Sequence, residues 1–372
     1  MDDSLPKTGT SGSDAKKRSI WFHLHLWIGW IAALPIAVVC LTGGILVFEE
    51  SIFHWEQSEL FQLEETGTPL SVQQVLDNYR SADPPLVVNH LGLPESRTHS
   101  YAAFATEMRP EGGRAVRVFQ NPYTGALTRL NAEFSISATL IDLHRRLAGG
   151  RIGQQIVGVS SLVLMVTCLL GFVLWWPLRG RTFARAWKRG HALDWHNALG
   201  LVALLPLLVM ALTGVMFTWG RSIWPALENL QGSPSQAVVP AITVPEGDAK
   251  VSMDLIVDRI RAELPGRRIT GIQPGNGKRS PIKVFLDADG SNLQLVIDPY
   301  SGKELLRFDG SGTGPVGWLR TNFGKFHTFE PYHPAARILW GLISIGGTVL
   351  VVTGLWVSVK RWRRPGRKTA AT

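Results

Sequence analysis

The sequence predicts an integral membrane α-helical protein with four transmembrane helices in two parallel-topology repeats, each repeat carrying a periplasmic α+β domain. Three observations predict it. Four stretches, Arg18 to Glu49, Arg151 to Arg179, Asp194 to Arg221 and Arg337 to Lys360, hold no Asp, Glu, Lys or Arg between their ends. Each exceeds the about 20 apolar residues needed to cross a bilayer core as helix. The densest Lys and Arg clusters fall on the side that four spans make common, and the chain repeats itself at fixed offsets.

Composition narrows the class. Of 372 residues, 45% are hydrophobic and 18% charged, with a net charge of +9. A basic balance suits nucleic acid or a membrane surface. Here the cations sit beside apolar runs, which points to the membrane and away from nucleic acid. The two cysteines, Cys40 and Cys168, lie inside apolar runs and read as packing residues. With no Cys-x-x-Cys, iron–sulfur, thiol-redox and c-type haem readings lose their usual support. No glycine-rich dinucleotide fingerprint follows a strand and no P-loop appears, so ATP-driven transport is excluded and any electron donor is external.

In order, the elements are a tail at 1–19, a first span at 20–49 and an outer domain at 50–140. A short outer helix and second span take 141–178, and a basic loop 179–193. The third span takes 194–221, a second outer domain 222–321, an outer helix and fourth span 322–360, and a tail 361–372. The first span lacks a small-residue cleavage site and is too long for a signal peptide, which predicts a retained helix. The tail's KKR, the loop's RGRTFARAWKRG and the terminal KRWRRPGRK fall on one side. The positive-inside rule makes that side the cytoplasm, with both termini inside and both long segments in the periplasm of a Gram-negative cell. Trp175, Trp176, Trp219 and Trp356 sit near span ends, where aromatic belts belong.

The outer segments read alike. Each opens with an amphipathic helix, SVQQVLDNYR or MDLIVDRIRAEL. Each continues in β-rich runs, such as PLVVNHL, SYAAFAT and AVRVF against RITGI, IKVFL and LQLVI. Each ends on a turn, NPYTG or DPYSG, whose Pro and Gly suit a type I turn.

An offset of 171 maps His25 to His196, Gly29 to Gly200, Pro35 to Pro206, Thr42 to Thr213 and Gly43 to Gly214. An offset of 183 maps His144 to His327, Gly158 to Gly341 and Gly171 to Gly354. Repeats of one orientation imply a pseudo-twofold axis along the membrane normal. Equivalent histidines then face each other, His25 with His196 near the cytoplasmic side and His144 with His327 near the outer side. Two imidazoles from opposite sides of a bundle can supply both axial bonds of a b-type haem, so two haems are expected. Gly29 and Gly200, one turn along from their histidines, leave room for a flat macrocycle. The competing reading of any one intramembrane histidine is a helix–helix hydrogen bond. His23 points to another face than His25, and His54 lacks a partner at the repeat offset. His333, near the outer boundary, is the substitute for His327. His191 belongs to the basic loop, and His90 and His99 to the outer domain.

The runs LHLWIGWIAALPIAVVCLTG, LHRRLAGGRIGQQIVG, WHNALGLVALLPLLVMALTG and FHTFEPYHPAARILWGL, with PYTG and PYSG between, resemble the PepSY-associated transmembrane helix family. Length and layout are similar to its inner-membrane ferrisiderophore reductases. The resemblance implies PepSY-like outer domains, haem in the spans, and reduction of ferric siderophore in the periplasm so that iron leaves as Fe(II). The family histidines fall on His25, His144, His196 and His327. Arg145, Arg146, Tyr123, Tyr300 and Tyr332 are candidate neighbours of the ferric chelate, against readings as interfacial anchors and turn packing. Two other classes fit the same residues: a non-redox PepSY sensor or peptidase regulator, and a proton-coupled permease for iron chelates.

Overall fold

The computed structural model describes residues 12–130, 135–232, 238–247, 249–288, 291–309, 314–329 and 333–363. In chain order its elements are α1 (Gly12–Ile31), α2 (Ala33–Ile45), α3 (Glu49–Glu56), α4 (Val72–Arg80), β1 (Leu86–Gly92), β2 (Tyr101–Arg109), β3 (Gly112–Gln120) and β4 (Leu127–Arg129). There follow α5 (Ile136–Arg146), α6 (Gly150–Trp175), α7 (Thr182–Arg189), α8 (Ala192–Gln231) and α9 (Met253–Glu263). Then come β5 (Arg268–Gln273), β6 (Ile282–Ala288), β7 (Ser291–Ile297), β8 (Glu304–Phe308), α10 (Gly314–Thr328) and α11 (Pro334–Trp362). They form two compact units. One comprises Met1–Glu49, Ser137–Ile223 and Phe323–Thr372, the other Glu50–Ile136 and Trp224–Asn322.

The first unit is helical. Four segments are long and apolar enough to cross a membrane: Ala33–Glu56, Gly150–Leu178, Ala192–Gln231 and Pro334–Trp362. The first apolar run breaks at Ala32, where Pro35 has no N–H to donate to the Ile31 carbonyl, whereas its counterpart Pro206 leaves α8 unbroken. Small residues bring α2 and α11 into backbone contact. A Cβ on Gly44 would lie 2.7 Å from the Gly341 carbonyl oxygen. Ser344 and Thr348 hydroxyls donate to the Cys40 and Ala37 carbonyls at 2.9 and 3.0 Å. In lipid, close approach of this kind replaces the hydrophobic effect as the force between helices. Cys40 is buried with Ala32, Ile36, Ala203 and Leu207, and Cys168 packs against that cluster, so both thiols are free packing groups. The basic loop is partly helical, as α7: Thr182 and Ala186 are buried while Phe183 and Trp187 are exposed. Helix α8 runs unbroken through Arg221 to Gln231, ten residues past the end its charge pattern suggests.

The second unit corrects the expectation of two separate outer domains. Its strands form one eight-stranded antiparallel sheet, in the order β4-β3-β2-β1-β5-β6-β7-β8. The halves join where β1 pairs with β5, Leu91 opposite Ile272 and Gly92 opposite Gly271. An isolated four-stranded half would leave the N–H and C=O groups of β1 or β5 unpaired, and joining the edges satisfies them. It also merges two small cores into one. Val75, Leu76 and Tyr79 of α4 and Ile256, Val257 and Ile260 of α9 are buried in a single cluster with strand residues of both halves.

The two helices cap each other. Asp254 Oδ1 accepts from the Gln73 N–H at 2.9 Å, and Gln73 Oε1 accepts from the Met253 N–H at 2.9 Å. Each side chain thereby satisfies an orphan donor at the other helix's N-terminus. The two quoted turns are built alike. Asn121 Oδ1 accepts from the Tyr123 and Thr124 N–H groups, and Asp298 Oδ1 from those of Tyr300 and Ser301. Gly125 and Gly302 close them in the left-handed region, at φ +74° and +66°, where a Cβ would be strained.

Candidate functional site

Inside the helical unit the structure brings together the two expected histidine pairs. The His25 ring on α1 faces His196 on α8, with centroids 6.5 Å apart and planes at 82°. His144 on α5 faces His327 on α10 at 6.0 Å and 57°. An ion held between two imidazoles sits about 2 Å from each nitrogen, and each ring centroid lies about 1.2 Å behind its nitrogen, so the centroids stand about 6.4 Å apart. Both pairs match that spacing. Among the described residues no three His, Cys, Asp or Glu side chains form a common metal site. Each pair could therefore offer two imidazole nitrogens to one ion, with no third side-chain ligand beside them among the described residues.

The hydrogen bonds choose the tautomer. His25 Nδ1 lies 3.1 Å from the Thr167 carbonyl oxygen and His144 Nδ1 lies 2.9 Å from that of Val39. A carbonyl only accepts, so both Nδ1 atoms carry the proton. His196 Nδ1 meets Thr353 Oγ1 at 3.0 Å, and His327 Nδ1 meets Thr213 Oγ1 at 2.8 Å. Those hydroxyls already donate to carbonyls of their own helices, Thr353 to Val349 and Thr213 to Val209, so here they accept. All four Nδ1–H groups are engaged, which leaves each Nε2 as the ring's lone-pair nitrogen. A ligating imidazole is held in just this way by its outer partners. Burial holds His144 and His327 below the ordinary imidazole pKa, which keeps both rings neutral, the form that ligates.

Glycines back the rings. A Cβ on Gly171 would stand 3.4 Å from His25 Cε1, and one on Gly354 would stand 3.3 Å from His196 Cε1. One on Gly43 would press to 2.7 Å from His144 Cε1. A Cβ on Gly29 would meet nothing within 4 Å. Gly29 and Gly200 line a cavity of about 1990 Å³ that also contains His25 and His196, so the space expected beside those glycines exists.

Two closures place the second pair. After α5 the chain reverses through Leu147, Ala148 and Gly150, at φ +49°, +55° and +56°. It packs Gly153 so tightly under α5 that a Cβ there would stand 1.6 Å from the Arg146 carbonyl oxygen. After α10, Phe329 turns at φ +57° and stacks on Trp340 at 4.4 Å, and Trp340 Nε1–H donates to the His327 carbonyl at 3.0 Å.

The other candidates fall outside the two pairs, although His23 and His191 line the cavity with His25 and His196 and the Arg145 charge acts on both His144 and His327. His23 is exposed, 2.7 Å by Nδ1 from the Ser19 carbonyl oxygen. His54, in the sheet unit, stacks on Phe61 at 3.8 Å beside His99. His333 caps α11, its Nδ1 accepting from the Ala335 N–H, so it does not replace His327 in the pair. His90 lies 5.4 Å from Phe285, and His191 lies 3.6 Å from Asp194. Arg145 is exposed and Arg146 pairs with Asp142. Tyr123 and Tyr300 hydroxyls donate to the Arg97 and Lys278 carbonyls, which is turn packing. Tyr332 lies outside the described residues.

Sequence reasoning assigned no role to Thr42, Thr167, Thr213 or Thr353. The signal was present, since Thr42 and Thr213 share the histidines' offset of 171. Replacing Thr213 with Val keeps shape and removes one of two partners of the His327 ring, the hydroxyl at 2.8 Å, while the Met210 backbone partner stays. If the pair ligates a metal centre, affinity there is expected to fall about tenfold, read by titrating haemin into cofactor-free protein, because loss of an outer partner typically costs about 10–100-fold.

Comparison with curated proteins returned no match. The family described as the PepSY-associated TM region matches residues 22–361. With its four membrane-length helices, the chain is a multi-pass membrane protein belonging to the PepSY-associated TM region family.

Proposed function

We propose that this protein is a haem-holding inner-membrane reductase that passes electrons across the bilayer to a ferric siderophore in the periplasm and releases Fe(II). One observation carries the reading: two imidazole pairs, 6.5 and 6.0 Å apart, with every Nδ1 engaged. When bound, b-type haem supplies a one-electron iron couple inside an insulating bilayer. The chain's part is to present four Nε2 atoms, to keep carboxylates out of the cavity that holds His25 and His196, and to space the pairs. His196 and Thr213, the partner of His327, are seventeen residues apart on unbroken α8. That is about 25 Å along the axis, most of a ~30 Å barrier.

The repeat offsets support the same plan. His25 and His144 approach the carbonyls of Thr167 and Val39, and each carbonyl lies on the helix of a different span. The two halves are read as one unit written twice about an axis along the membrane normal. By the positive-inside rule the basic segments support a cytoplasmic side for the His25 pair, and on this reading an external donor delivers electrons there. The acceptor is an Fe(III) chelate with hard oxygen donors. One electron lowers the ion's charge, weakens its hold on those oxygens and frees the metal. No acid, base or nucleophile is needed.

The test is spectroscopic. Purified protein should show a haem b Soret band that shifts with dithionite and returns on adding ferric hydroxamate siderophore. Fe(II) trapped by a chromogenic chelator should match the electrons lost. A colourless preparation from haem-sufficient cells would sink the reading and favour a sensor or a permease.

A further inference from the structure

The cavity holding His25 and His196 has a charge asymmetry that ligation of iron does not use. Its lining includes three cations, Arg18, Lys360 and Arg361, and no Asp or Glu. Two of the cations are held over aromatic rings, Arg361 over Phe22 at 4.4 Å and Lys360 over Trp356 at 4.7 Å. Among the described residues, no carboxylate forms an ion pair with any of the three. All three lie at one end. Arg18 precedes His25 by seven residues on α1, and Arg361 follows Gly354, which backs His196, by seven on α11. Each interval is about 10 Å of helix. The cavity's other end is closed by Ile36, Leu164, Leu207 and Val351, without a charge. The positive-inside rule accounts for cations near this end of the bundle. It does not account for three of them converging on one cavity that lacks any carboxylate.

We infer that Arg18, Lys360 and Arg361 form an anion-binding mouth for the two carboxylates on the edge of the macrocycle held by His25 and His196. The inference rests on the haem reading above. The two imidazoles belong to α1 and α8, so a flat ligand held between them would have one edge toward the apolar end and one toward the mouth. Two carboxylates turned to the apolar end would be buried without partners, which is strongly unfavourable. Turned to the mouth they meet two guanidinium groups and an ammonium, and charge-assisted hydrogen bonds become available.

The test compares haemin with its dimethyl ester, which lacks both charges but keeps the iron. Each is titrated into stripped protein carrying His327→Ala, so that only the His25 pair loads, and into the otherwise unaltered chain as a second measurement. Haemin should bind about tenfold more tightly than the ester, and the triple change Arg18→Gln, Lys360→Gln, Arg361→Gln should erase that preference while leaving ester affinity unchanged. Equal affinities for haemin and ester in the parent would overturn the inference. So would a triple variant that differs from the parent only in retaining less phosphatidylglycerol, which would assign the mouth to anionic lipid. Failure of either compound to bind at all would instead overturn the haem reading, and this inference with it.

Discussion

Replacing His196 with alanine is expected to cut haem content to about half and to abolish electron delivery from the cytoplasmic face. Its ring stands 6.5 Å from His25, and the substitution leaves one protein nitrogen where two are needed for a six-coordinate iron. The helix should survive. Helix α8 is anchored elsewhere, through Ala203 and Leu207 in the buried cluster with Ala32, Ile36 and Cys40. The His144 pair is carried by α5 and α10 and keeps its own partners, so about half the haem should remain, still low-spin. Haem per chain by the pyridine haemochrome method gives the first number. Chelate reduction in vesicles with an inside donor gives the second. His90→Ala is the control, because that ring lies in the sheet unit against Phe285 and away from both pairs. Unchanged haem content in the His196 variant would remove His196 from the ligand set.

A second large effect is expected at a residue that touches no ligand. Gly153→Ala should empty the His144 pair while the His25 pair stays loaded. The added methyl would stand 1.6 Å from the Arg146 carbonyl oxygen, a backbone atom that cannot swing aside. Either α6 or the turn before it must move, and that turn already holds three residues in the left-handed region. Its other end is α5, which carries His144 two residues before Arg146. Overpacking of this kind costs about 1–3 kcal/mol, and a backbone clash falls at the upper end of that range. Gly180→Ala, where a Cβ meets nothing within 4 Å, should leave both pairs intact. Spectra recorded beside thermal unfolding would separate local loss of one haem from global collapse. Retention of both haems by Gly153→Ala would show that the closure does not position His144.

The sequence made the spans and the four histidines legible because each leaves a one-dimensional trace. Charges vanish between Arg151 and Arg179, and imidazoles recur at two offsets. What escaped it depends on backbone groups or on neighbours distant in the chain. The merger of two outer domains into one sheet rests on ladder bonds at Leu91 and Gly92, which carry no side-chain code. The carbonyls of Thr167 and Val39 that orient His25 and His144 are invisible for the same reason. Helix α8 runs past Arg221 because a charge ends a membrane span without ending a helix. Strands β4 and β8 are only three and five residues long, too short for alternation to show. His333 attracted attention by lying near the right boundary, and it proves to be a helix cap.

The central claim is that opposed imidazoles in one helical unit each grip an iron porphyrin. Low-temperature electron paramagnetic resonance of the oxidised protein tests it most directly, with haem counted on the same sample. The account predicts two low-spin ferric signals of the bis-imidazole kind, one from each pair, with the His196→Ala variant keeping one. A high-spin axial signal in the parent protein, or no haem signal at all, would contradict it.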